Sequence, residues 1–169
     1  LELSSAASDV YKRQVLYTFG DENHGKLISE AIISHREKYL IDTTSKLAKI
    51  IEEIYPDKKT KIHPATKSFQ AFRIFINNEL DEFKKSLQSA KKIIKTNGII
   101  VTIAFHSLED NIIKNFFKPS IKSFPKDIPL NNEQESSFDC IAKKLRPSDF
   151  EIKNNPRSRS AIMRVFKKL

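Results

Sequence analysis

Phe105, His106 and Ser107 are the residues of this chain whose types and spacing best suit chemistry. An aromatic ring beside an imidazole and a hydroxyl group fits the recognition of a flipped-out nucleic-acid base. Phe105 would stack on the base, and the other two would hydrogen-bond a base edge or a phosphate. A structural role fits as well, with Phe105 in the core, His106 bonded to backbone and Ser107 as a helix cap. The residue types alone leave both interpretations open.

The spacing disfavours three other kinds of site. His106, Ser107 and Asp110 do not suit a hydrolase triad, because adjacent side chains on an extended segment point to opposite faces and no G-x-S-x-G motif is present. A metal site from His63, His106 and carboxylates lacks a ligand pair at helical spacing. The chain has no glycine-rich phosphate loop, which excludes a complete dinucleotide-binding half within these residues.

A short apolar strand is predicted to position the three residues. Residues 99–103 form a β-branched run after the Asn97-Gly98 turn, which is typical of a strand covered on both faces, as in a parallel sheet. Ser107 is predicted to cap the helix that follows. Because ligands bind at the carboxyl ends of strands in open α/β sheets, we expect residues 105–107 at a functional edge.

Helices are predicted upstream of this strand. Residues 17–38 form one, and a second, capped from within residues 42–45, stops before Pro56. A long helix is predicted from residues 63–66 through Ala90, with Thr66 as its cap, because apolar residues recur at three- and four-residue steps. Polar residues that either hold the structure or point into a cleft line one edge of its apolar face: Gln70, Arg73 and Asn77.

The C-terminal part of the chain is basic. Residues 141–169 contain nine Lys or Arg against Asp149 and Glu151, which gives +7 of the chain's formal net charge of +9. Such a charge suits a polyanion, and equally an ordinary solvated surface. Arg157 and Arg159 are placed for contact with a phosphate or a carboxylate. Residues 118–137 are predicted to be a surface loop, 141–145 and 160–166 to be strands, and a helical turn starts at 146–149.

Composition limits the cellular compartment that we expect for the protein. One cysteine, Cys140, excludes an internal disulfide and fits a reducing compartment. No apolar run approaches the roughly 20 residues of a membrane span, and no signal-peptide core follows the N-terminus, so we expect a cytoplasmic protein without a membrane partner. Residues 1–14 do not begin with Met and are interpreted as a disordered, non-native vector or assembly scar.

Four motifs follow one another in the chain. They are His63-Pro64-Ala65-Thr66 with its continuation through Phe69-Gln70-Ala71, Arg73-Ile74 and Asn77-Asn78-Glu79-Leu80; Phe105-His106-Ser107-Leu108-Glu109-Asp110; Arg146-Pro147-Ser148; and Asn155-Pro156-Arg157-Ser158-Arg159-Ser160-Ala161. In this order they resemble the C-terminal half of the bacterial ribosomal RNA small subunit methyltransferase H family, from about Tyr17 to Leu169. Departures from the family pattern are mild and lie at Lys67, Phe72, Thr96-Asn97-Gly98 and Ala104.

The resemblance implies an α/β fold: the C-terminal part of a class I (Rossmann-like) methyltransferase sheet with an antiparallel terminal strand, plus the end of a helical insertion subdomain. Residues 15–62 would form the subdomain and 63–169 the methyltransferase part, with a loop at 118–140. The implied reaction is N4-methylation of a cytidine in 16S rRNA with S-adenosylmethionine as donor. The implied partners are 16S rRNA and the small ribosomal subunit, and a homodimer stays open.

The family's glycine-rich donor loop, its ribose-binding acidic residue and its Asp-Leu-Gly-Val-Ser-Ser motif have no counterpart in this chain. The chain alone is therefore expected to be an inactive fragment that binds S-adenosylmethionine poorly. The resemblance makes His106 and Ser107 catalytic candidates on the target side; its RNA-binding candidates are His63, Arg73, Asn77, Phe105, Arg157 and Arg159. Two alternatives remain: a non-catalytic basic rRNA-binding module, and an unstable piece whose half-sheet exposes an apolar edge.

Overall fold

The computed structural model describes residues 7–55, 62–118 and 137–169. Its elements are α1 (Ala7–Gly20), α2 (Gly25–Lys38), α3 (Thr44–Glu52), α4 (Thr66–Ile76), α5 (Glu79–Ile93), β1 (Ile99–Ala104), α6 (Ser107–Phe117), β2 (Phe138–Leu145), α7 (Asp149–Asn154), a 3₁₀ helix (Pro156–Ser160) and β3 (Ile162–Lys168). They fall into two compact units, Leu1–Glu79 and Leu80–Leu169. Within the described ranges, no helix has the length and apolarity needed to cross a membrane.

The first unit is a helical bundle in which α1 packs against α2 and α4, and α2 packs against α3. Its centre contains the fully buried side chains of Leu16, Ile28 and Ile51. Gly20 allows α4 to come close, because a Cβ at this position would lie 2.8 Å from the carbonyl oxygen of Lys67. α4 packs on α1, and the two units divide at residues 79/80. The boundary at 62/63 that the resemblance implies for the methyltransferase stays a prediction.

Two predictions for the start of the chain differ from the structure. Residues 7–14 belong to α1, so the predicted disorder of residues 1–14 is wrong for this part; residues 1–6 lie outside the described part. The helix predicted over 17–38 is broken between α1 and α2, where Asp21 has a φ of 48°. The buried carboxylate of Glu22 lies in this break and accepts a hydrogen bond from the Tyr55 hydroxyl at 2.5 Å.

The long helix predicted through Ala90 is two helices. α4 ends at Ile76, and α5 begins at Glu79. Asn78 lies between them with a φ of 51°, a left-handed conformation that asparagine tolerates and that ends a helix. The apolar repeat continues across this break, which is why periodicity alone did not find it. Thr66 is the first helical residue of α4 and Ala65 precedes it, so the predicted Thr66 cap is wrong.

The second unit is built on a three-stranded sheet in the order β1-β3-β2. β3 is antiparallel to both neighbours, and in its register with β1 Val101 faces Val165 and Thr102 faces Arg164. One face of the sheet carries the core, in which the rings of Phe117 and Phe166 stack at 3.8 Å. Leu87 of α5, Ala104 of β1 and Ile113 of α6 are buried in the same cluster.

The other face of β1 is uncovered in the described part of the chain. Ile99, Val101 and Ile103 alternate along the strand and are 53–58% exposed. The strand itself was predicted correctly, but its predicted burial on both faces is wrong in the described part of the chain. Its described neighbour β3 is antiparallel, as the resemblance implied for the terminal strand. Residues that alternate along a strand share a face, so this apolar surface is continuous.

The C-terminal strands also differ in extent from the prediction. β2 begins at Phe138, so residues 138–140 are strand and not part of the predicted loop 118–140. Residues 119–136 of that loop lie outside the described part. β3 is shifted two residues from the predicted 160–166, because residues 156–160 form the 3₁₀ helix. The helical turn predicted from 146–149 is confirmed as α7, capped by Ser148.

Candidate functional site

Residues 105–107, called the ledge below, follow the end of β1 as the sequence predicted, and Ser107 is the first residue of α6. The side chain of Phe105 is 55% exposed, and Ser107 is exposed as well. Between them, the side chain of His106 is only 10% exposed. The ledge thus offers an aromatic ring and a hydroxyl group to solvent, with a largely buried imidazole between them. This exposure does not fit the structural role in the core that the residue types left open for Phe105.

His106, and not Ser107, caps α6. The backbone of His106 is extended, with φ −142° and ψ 165°, and its Nδ1 accepts a hydrogen bond from the backbone N–H of Glu109 at 3.4 Å. Ser107 is the first helical residue, so the predicted Ser107 cap is wrong. The assignment of Nδ1 as acceptor puts the ring proton on Nε2. Nε2 lies 3.3 Å from Glu109 Oε1, yet it makes no well-aligned hydrogen bond to any described residue.

Glu109 closes a local network around the ledge. Its Oε2 accepts a hydrogen bond from the backbone N–H of Phe105 at 2.8 Å. Burial tends to raise the pKa of Glu109, but the His106 ring and the Phe105 N–H favour the ionised carboxylate, so this pKa lies below its usual value. Both ring nitrogens of His106 face Glu109 atoms, and this arrangement suits a residue that holds the ledge in place.

The next residue of α6, Asp110, takes part in a buried ion pair. The guanidinium of Arg164 on β3 holds Asp110 with two hydrogen bonds, Nε to Oδ1 at 2.7 Å and Nη2 to Oδ2 at 3.0 Å. Hydrogen bonding from Arg164 lowers the pKa of Asp110 despite its burial, and the same bond raises the pKa of Arg164. Asp110 is thus committed to an arginine, which gives a second reason against the hydrolase triad.

In the first unit, Arg73 and Asn77 meet on one carboxylate. Arg73 donates from Nε to Glu79 Oε1 at 2.8 Å and from Nη2 to Oε2 at 3.2 Å. Asn77, the C-cap of α4, donates to the same Oε1 at 3.3 Å. The Arg73 side chain remains more than half exposed. Glu79 therefore neutralises part of the charge that the sequence assigned to RNA contact.

His63 lies at the opposite end of α4 from this group. Its Nε2 is 2.6 Å from Glu52 Oε1 at the end of α3, and its Nδ1 accepts from the backbone N–H of Ala65 at 3.2 Å. The eleven residues of α4 span about 16 Å, so His63 does not join Arg73 and Asn77 in one site. Its contacts are those of a residue that fixes the start of α4.

Arg157 and Arg159 are exposed on the 3₁₀ helix before β3. Between them, Ser158 is buried and its hydroxyl donates to the carbonyl oxygen of Asn155 at 2.8 Å. This bond anchors the turn. Arg159 Nη1 donates to the carbonyl oxygen of Pro156 at 3.2 Å on the same turn, and both arginines stay exposed. Phe150 of the adjacent α7 is 77% exposed. The segment is therefore a basic surface with an exposed aromatic ring.

The structure groups the candidates into three sets: residues 105–107, the Arg73–Asn77 pair, and the Arg157–Arg159 pair. The first and last lie in the second unit, and the Arg73–Asn77 pair lies in the first. Sequence reasoning missed the carboxylates that organise them, Glu79 and Glu109, and the pairing of Asp110. One signal was present: Arg164 is the lone charge in the otherwise apolar centre of its strand.

The comparisons with known proteins agree with one another. The model of the MraW methylase family matches residues 5–169. The ribosomal RNA small subunit methyltransferase H of Rhodopseudomonas palustris (strain BisA53) is 40% identical over 167 residues, which are 97% of this chain and 50% of that protein. The protein of the same name from Coxiella burnetii (strain Dugway 5J108-111) is 42% identical over 159 residues, 93% of this chain and 52% of its own.

These matches place the chain among the methyltransferases. It belongs to the MraW methylase family. The chain spans about half the length of the curated relatives it matches. Its small antiparallel sheet flanked by helices is consistent with an α/β methyltransferase.

Proposed function

We propose that this chain is the target-recognition part of a cytoplasmic methyltransferase that methylates N4 of a cytidine in 16S rRNA of the small ribosomal subunit. The family match over residues 5–169 carries the proposal, together with relatives named ribosomal RNA small subunit methyltransferase H. The sheet would be the C-terminal part of a class I methyltransferase sheet. The antiparallel β3 between β1 and β2 supports this placement.

The methyl donor implied by the family is S-adenosylmethionine, and the residues present do not fit it. The chain contains three glycines. Gly20 and Gly25 lie in helices, and Gly98 lies in the turn before β1, where a Cβ would be 2.8 Å from the carbonyl oxygen of Lys95. None of them belongs to a loop that leaves backbone N–H groups free around a ligand. We therefore assign the donor site to the half of the protein that this chain does not cover.

The ledge at residues 105–107 is proposed to receive the target base. The exposed ring of Phe105 can stack on a base, and the exposed hydroxyl of Ser107 can accept or donate a hydrogen bond at its edge. Glu109 holds the backbone of Phe105, and the His106 cap fixes the start of α6, where Ser107 is the first residue. Reaction at an exocyclic amine depends mainly on such positioning.

Phosphate contacts are proposed for the arginines. Arg157 and Arg159 are exposed on the basic C-terminal segment, and each phosphate that they neutralise releases counterions. Arg73 can contact a phosphate through the N–H groups that Glu79 does not use, although Glu79 offsets part of its charge. His63, already paired with Glu52, is the weakest RNA candidate of the set.

Methyl transfer tests the proposal. The 169-residue chain, alone and fused to the uncovered half of the Coxiella burnetii relative, would be assayed with labelled S-adenosylmethionine and 16S rRNA. We expect transfer from the fusion only, and a loss of roughly 10-fold or more for Phe105→Ala or Ser107→Ala without a change in melting temperature. Ser89→Ala, at an exposed position of α5, is the matched control. A fusion that methylates no rRNA, or ledge variants with full activity, would refute the assignment.

A non-catalytic rRNA-binding module is the second candidate, and the unsuited glycines of this chain favour it for the isolated chain. The isolated chain should then bind rRNA with an affinity that falls steeply with salt. Arg157→Ala and Arg159→Ala should each reduce the salt dependence, because each removes about one phosphate contact. Salt-independent binding would contradict both candidates.

A further inference from the structure

The buried pair of Asp110 and Arg164 joins three elements of the second unit. Asp110 is on the first turn of α6 and Arg164 is on the central strand β3, and the two bonds between them are parallel, at 2.7 and 3.0 Å. The Nη1 of Arg164 also donates to the carbonyl oxygen of Lys143 on β2. Both side chains are about one-tenth exposed. One guanidinium thus connects a helix, the strand that carries it and a second strand.

The backbone of Arg164 is tied to the strand that carries the ledge. Thr102 of β1 faces Arg164 across the sheet, and its buried hydroxyl donates to the carbonyl oxygen of Arg164 at 3.3 Å. The ledge begins three residues further along β1. The position of Arg164 is therefore fixed with respect to β1 before its side chain reaches α6.

Asp110 is also in direct contact with the backbone of the ledge, at His106. Its backbone N–H donates to the carbonyl oxygen of His106 at 3.2 Å, and the preceding residue Glu109 donates to the His106 ring. A movement of Asp110 along or around α6 would move these two donors with it. Holding Asp110 on Arg164 therefore sets where the first turn of α6 meets the end of β1.

Stability alone is a weak explanation for such a pair. Replacing a buried ion pair by well-packed apolar side chains is often neutral or stabilising, because the desolvation of two charges offsets much of their attraction. A forked guanidinium–carboxylate contact, in contrast, fixes distance and orientation at once. An apolar pair of similar volume can fill the same space, but it does not specify the register of α6 on the sheet.

We propose that Asp110 and Arg164 are positioning residues that hold the ledge of Phe105, His106 and Ser107 in its active geometry. The link to catalysis rests on the function proposed above, while the geometric part of the proposal is a property of this chain. Neither residue touches the substrate in this scheme. They act through the first turn of α6 and through the His106 cap.

The geometric part is tested on the 169-residue chain by NMR of the His106 ring, assigned by comparison with His106→Asn. In the wild type we expect the tautomer with the proton on Nε2 and an acceptor shift for Nδ1. The double variant Asp110→Leu/Arg164→Met should melt within a few degrees of the wild type and lose this signature. Lys114→Met is the control, because Lys114 lies 3.4 Å from Asp110 on the half-exposed side and should leave the ring unchanged.

A folded double variant that keeps the wild-type His106 signature would overturn the proposal. If the double variant does not fold, Arg164→Lys is the deciding variant, because it keeps the charge and loses the two parallel hydrogen bonds to Asp110. We expect its His106 ring to exchange between tautomers. A His106 ring with the wild-type signature would contradict the proposal. In the fusion described above, the folded double variant should lower kcat at least 10-fold with KM for rRNA changed less than threefold. Loss in KM alone would refute a positioning role, whereas a wild-type fusion without activity would refute the proposed function and leave the NMR result standing.

Discussion

At the scale of single residues, carboxylates decide what the conspicuous side chains do. Glu109 accepts a hydrogen bond from the Phe105 N–H and lies 3.3 Å from Nε2 of the His106 ring. Glu79 accepts hydrogen bonds from Arg73 and Asn77. His106 therefore has a structural role next to the residues proposed to contact the base: it caps α6, and its neighbours on both sides are exposed. We expect the replacement of His106 to disturb the positions of Phe105 and Ser107 more than it disturbs a proton transfer in the reaction.

Asp110→Asn gives a prediction for pH dependence. Because the pKa of Asp110 is lowered by Arg164 in the folded state, its stabilising effect is present above the unfolded pKa of about 3.9 and is lost as the pH falls through the folded value. At pH 7 the variant should lose about 3–5 kcal/mol of unfolding free energy, because it leaves Arg164 buried without its partner. Urea unfolding at pH 7 and at pH 2–3 measures the difference, which should shrink at low pH. An equal loss at both pH values would contradict a pKa of Asp110 that is lower in the folded than in the unfolded state.

Gly98→Ala gives a second prediction at this scale. A Cβ on Gly98 would lie 2.8 Å from the carbonyl oxygen of Lys95, so the turn before β1 must shift, and we expect a loss of about 1–3 kcal/mol in denaturant unfolding. Asn97→Gly is the matched control: Asn97 has a φ of 63°, which glycine adopts without strain. The control should be neutral within about 1 kcal/mol, and an equal loss in both variants would locate the effect elsewhere.

At the scale of elements, caps and breaks determine where each helix begins and ends. Thr43 caps α3 in an extended conformation and accepts from the N–H of Lys46 at 3.3 Å, within the predicted segment 42–45. Asn78 separates α4 from α5 although the apolar repeat runs through it. A side chain that satisfies free N–H groups is visible in sequence, whereas a single left-handed residue within a periodic segment is not.

Thr43→Ala tests the cap of α3. Removal of the hydroxyl leaves the Lys46 N–H without its acceptor, and we expect the free energy of unfolding to fall by about 1 kcal/mol. Ser45→Ala, on an exposed residue inside the same first turn, should change it by less than about 0.5 kcal/mol. Thermal or urea unfolding followed by circular dichroism compares the two. Equal effects would mean that Thr43 does not act as a cap.

At the scale of the whole molecule, the uncovered face of β1 is the most unusual surface described. Ile99, Val101 and Ile103 place branched apolar side chains in solvent on a strand with one described neighbour. Soluble monomers seldom expose such a strand, because it offers both apolar surface and unpaired backbone groups to other chains. Relatives twice the length of this chain have additional sequence available to cover it.

Val101→Lys should reduce self-association of the isolated chain. A charge in the middle of the apolar row interrupts it, and lysine on an exposed strand disfavours pairing with another chain. Sedimentation velocity across a range of concentrations measures the change. Gln88→Lys adds the same charge at an exposed position of α5 and should leave the association unchanged. A wild-type chain that stays monomeric at high concentration would show that the face is not adhesive.

The motifs, the second predicted helix, the helices after residues 107 and 148, the strand at residues 99–103 and the cap of α3 were available from the sequence, because each depends on neighbours a few residues away. The register of β3, the division at residues 79/80 and the uncovered side of β1 were not, because they depend on which segments pack together over long distances. Arg164 illustrates the difference. Its isolation in an apolar strand was visible, yet only the folded chain brought Asp110, 54 positions earlier, within 2.7 Å of it. Local propensity determines which segments form helices and strands. Burial of one face of the sheet, together with the pairing of Arg164 and Asp110, determines how these elements of the second unit pack.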